Sequence, residues 1–109
     1  MNNDIINNNI SDFIQNQINS NKIVLFMKGS ADFPQCGFSA SVVSILQRMQ
    51  LEFKDINVLE SLELREGIKV FSDWPTIPQL YINGEFIGGC DIVKEMYQSG
   101  ELKQLINKA

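Results

Sequence analysis

The sequence is marked first by what it lacks: among its 109 residues there is no histidine, and there are only two cysteines, Cys36 and Cys90. Without histidine, catalysis by a Ser/His or Cys/His pair is excluded. Two cysteines cannot supply a closed four-ligand zinc or iron site from the Cys and His of one chain. A chain of this length buries a core of its own, so we expect no disulfide-dependent scaffold. A metal centre here would need ligands from a second chain or from a small molecule.

Positive charge and long apolar runs are also scarce. Nine Lys and Arg residues stand against thirteen Asp and Glu residues, which gives a net charge of −4 and a pI near 4.6. This balance argues against nucleic acid or an anionic membrane surface as the main partner. No apolar run approaches the ~20 residues of a membrane span, and the Asn-rich start lacks the pattern of a secretory signal. We therefore expect a protein of a reducing compartment, the cytoplasm by default, with neither nucleic-acid nor membrane partners.

Hydrophobic patterning predicts a single α/β domain over residues 1–109, with an N-terminal helix inside 1–21 whose Asn-rich first turn is weak. Apolar residues at helical spacing predict helices over about 4–20, 37–50 and 60–72, then one opening at 88–91 and a short one around 102–106. Short apolar or alternating runs predict strands at 23–27, 52–58, 79–82 and 85–87, the last two forming a hairpin around Asn83-Gly84. The helix–strand alternation of the first half favours a parallel first pair. The expected architecture is a four-stranded mixed sheet flanked by helices.

Cys36 falls where the first predicted strand has ended and the next helix begins. The unpaired N–H groups and the positive dipole end of a helix start favour thiolate over thiol. A free cysteine is also often a small buried hydrophobe, so position alone leaves both interpretations open. Lys28, at the end of the preceding strand, either adds a positive charge beside this thiol or is a solvated surface lysine.

Four motifs then occur in a specific order. They are Lys28-Gly29-Ser30, Pro34-Gln35-Cys36-Gly37-Phe38-Ser39, Trp74-Pro75-Thr76-Ile77-Pro78-Gln79 and Gly88-Gly89-Cys90-Asp91. Together with the predicted element order, they make the chain from about Lys22 onwards resemble the monothiol glutaredoxins of the Cys-Gly-Phe-Ser class. The resemblance implies a thioredoxin-like (glutaredoxin) fold and a binding site for glutathione.

The resemblance also implies roles for individual residues. Cys36 would be the redox-active thiol, and the residues that contact glutathione would be Lys28, Phe38, Arg65, Thr76, Ile77, Pro78, Gly89, Cys90 and Asp91. Arg65 would hold the glycyl carboxylate of glutathione, and Lys69, one helical turn further on, is a second candidate for the same role. Without the resemblance, both residues would be interpreted as exposed charges on a helix. Pro78 would be the cis residue of the family's loop.

Three positions in these motifs have competing interpretations. The amides of Gly89–Asp91 at a helix start would hold the γ-glutamyl carboxylate, although Asp91 alone reads as a plain N-terminal cap. For Cys90 we expect packing together with ligand contact, with a regulatory disulfide to Cys36 as the alternative. Ser39 stands where a dithiol oxidoreductase has its resolving cysteine, so the second step of any thiol–disulfide cycle would need glutathione or Cys90. For Ser39 itself we predict an ordinary polar helix residue.

The function implied by the resemblance is iron–sulfur cluster storage and transfer in iron homeostasis. A [2Fe–2S] cluster takes four thiolates, which Cys36 from two subunits and two glutathiones would supply, so the cluster-bound form would be a homodimer. Apo iron–sulfur acceptor proteins and a BolA-like protein are the implied partners. The alternative is a weak glutathione-dependent oxidoreductase that removes glutathione from proteins, which the loop Ser30–Gln35 is expected to hinder. A third alternative is a regulatory module that signals iron status through its partner.

Overall fold

The structure is a computed structural model that describes the backbone of residues 3–108 and the side chains of residues 9–108. The helices are α1 (Asn3–Ser20), α2 (Gly37–Arg48), α3 (Leu62–Ser72), α4 (Cys90–Ser99) and α5 (Glu101–Asn107). The strands are β1 (Ile23–Met27), β2 (Lys54–Asn57), β3 (Gln79–Ile82) and β4 (Glu85–Gly88), and a single 3-10 turn, Val58–Glu60, precedes α3. All the predicted helices and strands are therefore present, and several of them begin or end at other residues than predicted.

The four strands form one mixed sheet in the order β2-β1-β3-β4. β1 is parallel to β2 and antiparallel to β3, and β3 is antiparallel to β4. The hairpin between β3 and β4 turns at Asn83 and Gly84, which both have positive φ, 54° and 81°, as its two-residue turn requires. The predicted mixed sheet with a parallel first pair is confirmed.

The sheet carries an apolar cluster on each face because successive side chains of β1 point to opposite sides. Leu25 and Met27 pack with residues of α2, α4 and α5. Val24 and Phe26 pack with residues of α1 and α3 on the other face. All five β1 side chains are buried, which explains why this strand reads as a continuous apolar run. Within residues 3–108, no helix has both the length and the apolar character needed to cross a membrane.

Side-chain caps explain why several elements are shorter than predicted. Asn57 Oδ1 accepts the Leu59 N–H at 2.9 Å, so the strand predicted over 52–58 ends at Asn57 and a 3-10 turn begins. Ser61 Oγ accepts the Leu64 N–H at 3.1 Å and starts α3 two residues later than predicted. The helix α2 is also shorter than predicted. It ends at Arg48 rather than near Gln50, and Gln50 itself takes a φ of 58°.

Candidate functional site

A cleft of about 480 Å³ opens where five chain segments meet beside the sheet. The end of β1, the start of α2, the last turn of α3, the loop before β3 and the start of α4 border it. The residues that line it are Lys28, Cys36, Phe38, Lys69, Trp74, Pro75, Thr76, Ile77, Pro78, Cys90, Asp91 and Ile92. The structure thus brings together the predicted site residues other than Arg65 and Gly89.

Cys36 occupies the N-cap position of α2. Its backbone is extended (φ −149°, ψ 135°) and its side chain is partly exposed. In this position a side chain faces the free N–H groups of the second and third helical residues, which here are Phe38 and Ser39. No side-chain cap hydrogen bond is formed at this helix start, so these amides stay available to the sulfur.

The surroundings of Cys36 lower the pKa of its thiol from the ordinary 9.0. Partial burial alone raises that pKa, but this effect is outweighed by the backbone N–H groups of Ser39 and Phe38, the Ser39 hydroxyl and the charge of Lys28. The interpretation of Cys36 as a helix-start thiol is therefore favoured over that of a small core residue. The charge of Lys28, which borders the cleft, is the last of these influences on the thiol.

Ser39 corrects one expectation from the sequence. It is not an ordinary polar helix residue, because its side chain is fully buried and its Oγ accepts the Lys28 N–H at 3.1 Å. This bond joins the end of β1 to the first turn of α2, and so places Lys28 and Cys36 on the same side of the cleft. The sequence signal that could have indicated the burial of Ser39 is its helical spacing to residues buried on the same face of α2, namely Val42, Val43 and Leu46.

The loop between Lys28 and Cys36 is tied to β2. Asn57 Oδ1 accepts the Gly29 N–H at 2.9 Å, and Asp55 Oδ2 accepts the Ala31 N–H at 2.7 Å. The Gln35 N–H also donates to Lys28 O at 2.9 Å. The segment that precedes the thiol is consequently anchored at several points rather than free to swing over the cleft.

The loop Trp74–Pro78 forms the wall of the cleft beside β3. The Ile77–Pro78 peptide bond is cis, as the resemblance implied. Thr76 is exposed whereas Ile77 is 6% exposed. Trp74 lines the cleft too, and its ring packs against Phe86 with centroids 5.5 Å apart. The predicted site had missed Trp74, Pro75 and Ile92, since an aromatic, a proline and an isoleucine carry no chemical signal of their own.

The start of α4 forms the opposite wall. Its N-cap is Gly89, which offers no side chain to the helix amides. A Cβ at Gly89 would lie 3.3 Å from Pro78 O and 3.5 Å from Trp74 Nε1, so glycine permits the close approach of α4 to the loop. Cys90 is 7% exposed, belongs to the apolar cluster of that sheet face, and still borders the cleft. Asp91 is exposed in the first turn.

The two cations of α3, Arg65 and Lys69, do not lie as we expected relative to the cleft. Lys69 borders the cleft, whereas Arg65 is not among the lining residues. The Lys69 Nζ lies 3.3 Å from Glu66 Oε2, in a partly exposed pair of a kind that contributes little stability. Phe38 is 63% exposed at the rim, where it can shield the thiol. The roles assigned to Arg65, Gly89 and the other contact residues stay predictions.

The chain was compared with known proteins. The glutaredoxin family profile matches residues 23–87, more than half of the sequence. The chain belongs to the glutaredoxin family. Probable monothiol glutaredoxin 2 of Rickettsia typhi is 64% identical to this glutaredoxin over 94 residues, which cover 86% of the chain and 85% of the relative. Monothiol glutaredoxin-S14 of Arabidopsis thaliana, a chloroplastic protein, is 53% identical over 100 residues, 92% of the chain and 58% of the relative. These identities place the glutaredoxin in the monothiol group.

Solved structures agree with this assignment. The solution structure of reduced poplar apo GrxS14 is 52% identical to this glutaredoxin, covers 91% of both chains and gives a TM-score of 0.81. A crystal structure of a buckwheat glutaredoxin–glutathione complex gives a TM-score of 0.87 over 98% of this chain and 96% of its own, at 22% identity. At that identity the likeness establishes the thioredoxin-like (glutaredoxin) fold alone.

The cleft of this glutaredoxin combines an activated thiol with charges of both signs. Lys28 and Lys69 border it, as does Asp91, and the open start of α4 attracts carboxylates. Within the part of the chain that the structure describes, no three His, Cys, Asp or Glu residues are grouped so as to hold a metal ion. One chain alone therefore offers a single partly exposed thiol and no complete metal site among those residues.

Proposed function

We propose that this monothiol glutaredoxin binds glutathione in the cleft and carries a [2Fe–2S] cluster between two copies of the chain. The observation that supports this most directly is the single activated thiol of Cys36, which opens into a cleft bordered by cations and by an uncapped helix start. The physiological role would be storage of the cluster, its transfer to apo iron–sulfur acceptor proteins, and iron homeostasis.

The charges at the cleft are complementary to glutathione. This tripeptide has two carboxylates and one ammonium group, so its site needs cations and amide donors together with an acid. Lys28 and Lys69 would face the glycyl carboxylate, with Arg65 as a further cation of the same helix. The amides at the start of α4 would receive the γ-glutamyl carboxylate, and Asp91 would accept from the ammonium. Thr76, Ile77 and Pro78 would supply backbone along the middle of the peptide, and Phe38, Gly89 and Cys90 would enclose it.

The cluster would be the cargo of this protein, and the residues present fit an arrangement in which two chains share it. A [2Fe–2S] cluster takes four thiolates, and the cysteines of one chain are the partly exposed Cys36 and the buried Cys90. One Cys36 from each of two chains and one thiol from each of two bound glutathiones complete the set. Cys36 is thus the proposed cluster ligand, shared between two subunits, and the cluster-bound form is a homodimer.

The remaining predictions belong to the same proposal. A BolA-like protein and apo iron–sulfur proteins are the proposed partners, and the cytoplasm is the proposed location. Relatives with chloroplastic and mitochondrial names exist. The lowered pKa of Cys36 raises the fraction of thiolate at a given pH, and thiolate is the form that ligates a cluster.

The same thiolate also favours a second candidate function, removal of glutathione from protein mixed disulfides. In the first step, the Cys36 thiolate attacks the glutathione sulfur, the mixed disulfide breaks, and the target protein leaves as a thiolate. In the second, a glutathione thiolate attacks the Cys36–glutathione disulfide and releases oxidised glutathione and Cys36 thiolate. The anchored loop between Lys28 and Cys36 is expected to slow this cycle by limiting access of bulky substrates.

Anaerobic reconstitution with iron, sulfide and glutathione distinguishes the two functions. The carrier predicts a coloured dimer, seen by absorption and by size, that is lost in Cys36→Ser or without glutathione. Cys90→Ser is the matched control and should keep the colour. A colourless monomer that rapidly turns over a glutathionylated peptide would instead establish the oxidoreductase and overturn the carrier.

A further inference from the structure

Gln79 is the feature of this molecule that the proposed function leaves unexplained. It is the first residue of β3, and together with Ser39 it forms the buried polar set among the described residues, with 0% exposure. A carboxamide buried in an apolar interior is costly unless its hydrogen bonds are satisfied. The partners of Gln79 therefore indicate what it stabilises.

Its carboxamide joins the core of the protein to the cleft loop. Gln79 Nε2 donates to Trp74 O and to Thr76 O, both at 3.2 Å. The Tyr81 hydroxyl donates to Gln79 Oε1 at 3.4 Å. Tyr81 is itself held by aromatic neighbours, with its ring centroid 5.6 Å from that of Phe26. A rigid part of the core thus holds two carbonyls of the loop that lines the cleft.

The loop cannot satisfy these carbonyls by itself. Pro75 and Pro78 have no N–H, and the Trp74 N–H already donates to Lys69 O in the last turn of α3. Thr76 and Ile77 supply the remaining amide hydrogens of the loop, and neither donates to a backbone or side-chain acceptor among the described residues. Because Gln79 occupies Trp74 O and Thr76 O, these two carbonyls do not compete for a ligand, and the Thr76 and Ile77 amides are free donors that the loop can offer it.

We propose that Gln79 is a positioning residue: it holds Trp74 O and Thr76 O away from the ligand, so that the loop meets the acceptor groups of a peptide-like ligand with the Thr76 and Ile77 amides. Gln79 touches neither the thiol nor the ligand and acts only through the backbone of the loop. The ligand part of this inference rests on the proposed glutathione site, whereas the loop part is independent of it.

The test uses Gln79→Leu, which keeps most of the volume but cannot donate, and Gln79→Glu, which keeps the acceptor oxygens but loses the amide hydrogens. Gln47→Leu, at an exposed position of α2, is the matched control. The ligand probe is S-methylglutathione, whose thiol is blocked, titrated by calorimetry. The loop probe is hydrogen exchange of the Trp74 amide, which donates to Lys69 O, measured by NMR without ligand. The reactivity of Cys36 is followed with iodoacetamide.

We expect Gln79→Leu to speed exchange of the Trp74 amide by about tenfold or more, because two carbonyls of the loop lose their donor and the loop opens locally. Binding of S-methylglutathione should weaken by about tenfold, while Gln47→Leu changes neither quantity. Alkylation of Cys36 should stay within about twofold, since the thiol is activated from α2 rather than from this loop.

Gln79→Glu adds a pH signature that a purely structural role would not give. Burial favours the protonated carboxyl, whose O–H can donate one of the lost bonds, so the ratio of variant to wild-type Kd should fall as the pH is lowered. This variant also decides the question if Gln79→Leu does not fold. Unchanged exchange of the Trp74 amide in both variants would overturn the proposal. If wild-type protein does not bind S-methylglutathione, the proposed function fails, and the exchange rates still decide whether Gln79 holds the loop.

Discussion

The two cysteines stand at corresponding places in the fold and have different surroundings. Both lie at the start of a helix and both border the same cleft. Cys36 is the N-cap of α2 and is partly exposed, whereas Cys90 is the first residue inside α4 and is 7% exposed. The N-cap of α4 is Gly89, one residue earlier.

This one-residue difference determines what each helix start is used for. An N-cap side chain faces the free amides of the helix, so those of α2 lower the pKa of the Cys36 thiol. Glycine at the N-cap of α4 has no side chain to take its amides, and they stay open to an anionic ligand. Position near a helix start therefore does not by itself make a cysteine reactive; the cap position and exposure decide.

The largest expected effect is the difference in alkylation between the two thiols. In the native protein, iodoacetamide should modify Cys36 at least about 100-fold faster than Cys90, because Cys90 must first be exposed by local opening, for which we take ~3 kcal/mol. Mass spectrometry of timed digests gives both rates. In strong denaturant the two rates should converge to within about threefold, since both thiols then lose their native surroundings. Equal rates in the native state would contradict the comparison.

Removal of the Ser39 hydroxyl should test how α2 is joined to β1. Ser39→Ala leaves the Lys28 N–H without its acceptor in a partly buried setting, so the free energy of unfolding should fall by about 1–2 kcal/mol. It also removes one group that lowers the pKa of Cys36, and the midpoint of the alkylation–pH curve should move upward. Denaturant unfolding gives the first quantity. Ser44→Ala, a half-buried serine of the same helix, should stay within about 0.5 kcal/mol.

A polar side chain at the N-cap of α4 should face the free amides of that helix, as the Cys36 side chain does in α2. In Gly89→Ser, the hydroxyl competes for the helix amides, so binding of S-methylglutathione should weaken by about fivefold, a loss of ~1 kcal/mol. Gly89→Ala adds only the Cβ, which lies 3.3 Å from Pro78 O, and so measures the steric part separately. Calorimetry is the measurement, and tighter binding in Gly89→Ser would be the contrary result.

The smallest effect concerns the charge of Lys28. Its attraction is the last of the influences that lower the pKa of the Cys36 thiol. Removing a cation disfavours the thiolate, so Lys28→Gln should raise that pKa towards 9.0 and slow alkylation at pH 7 by about twofold to threefold. In 1 M salt the difference should nearly vanish. Lys94→Gln, at an exposed position of α4, serves as control and should leave the curve in place.

Local patterns in the sequence determined much of this protein. Side-chain periodicity predicted the helices, the strands and the mixed sheet, because burial on one face of an element leaves its mark at intervals of two or about 3.6 residues. The Asn83-Gly84 turn was predictable because both residues tolerate the positive φ of a two-residue hairpin turn. The place of Cys36 at the start of α2 followed from where the periodic pattern of that helix begins.

The tertiary structure alone decided which side chains meet. Arg65 and Lys69 are one turn apart on α3, and only the packing of that helix against the cleft loop brings Lys69 rather than Arg65 to the cleft. The hydrogen-bond partners of the buried Ser39 and Gln79 are likewise set by the tertiary structure. The partner of Ser39 lies on another element, and those of Gln79 lie in a loop without a regular period. Sequence spacing fixes the face on which a residue lies, whereas its neighbour across that face is set by how the elements pack together.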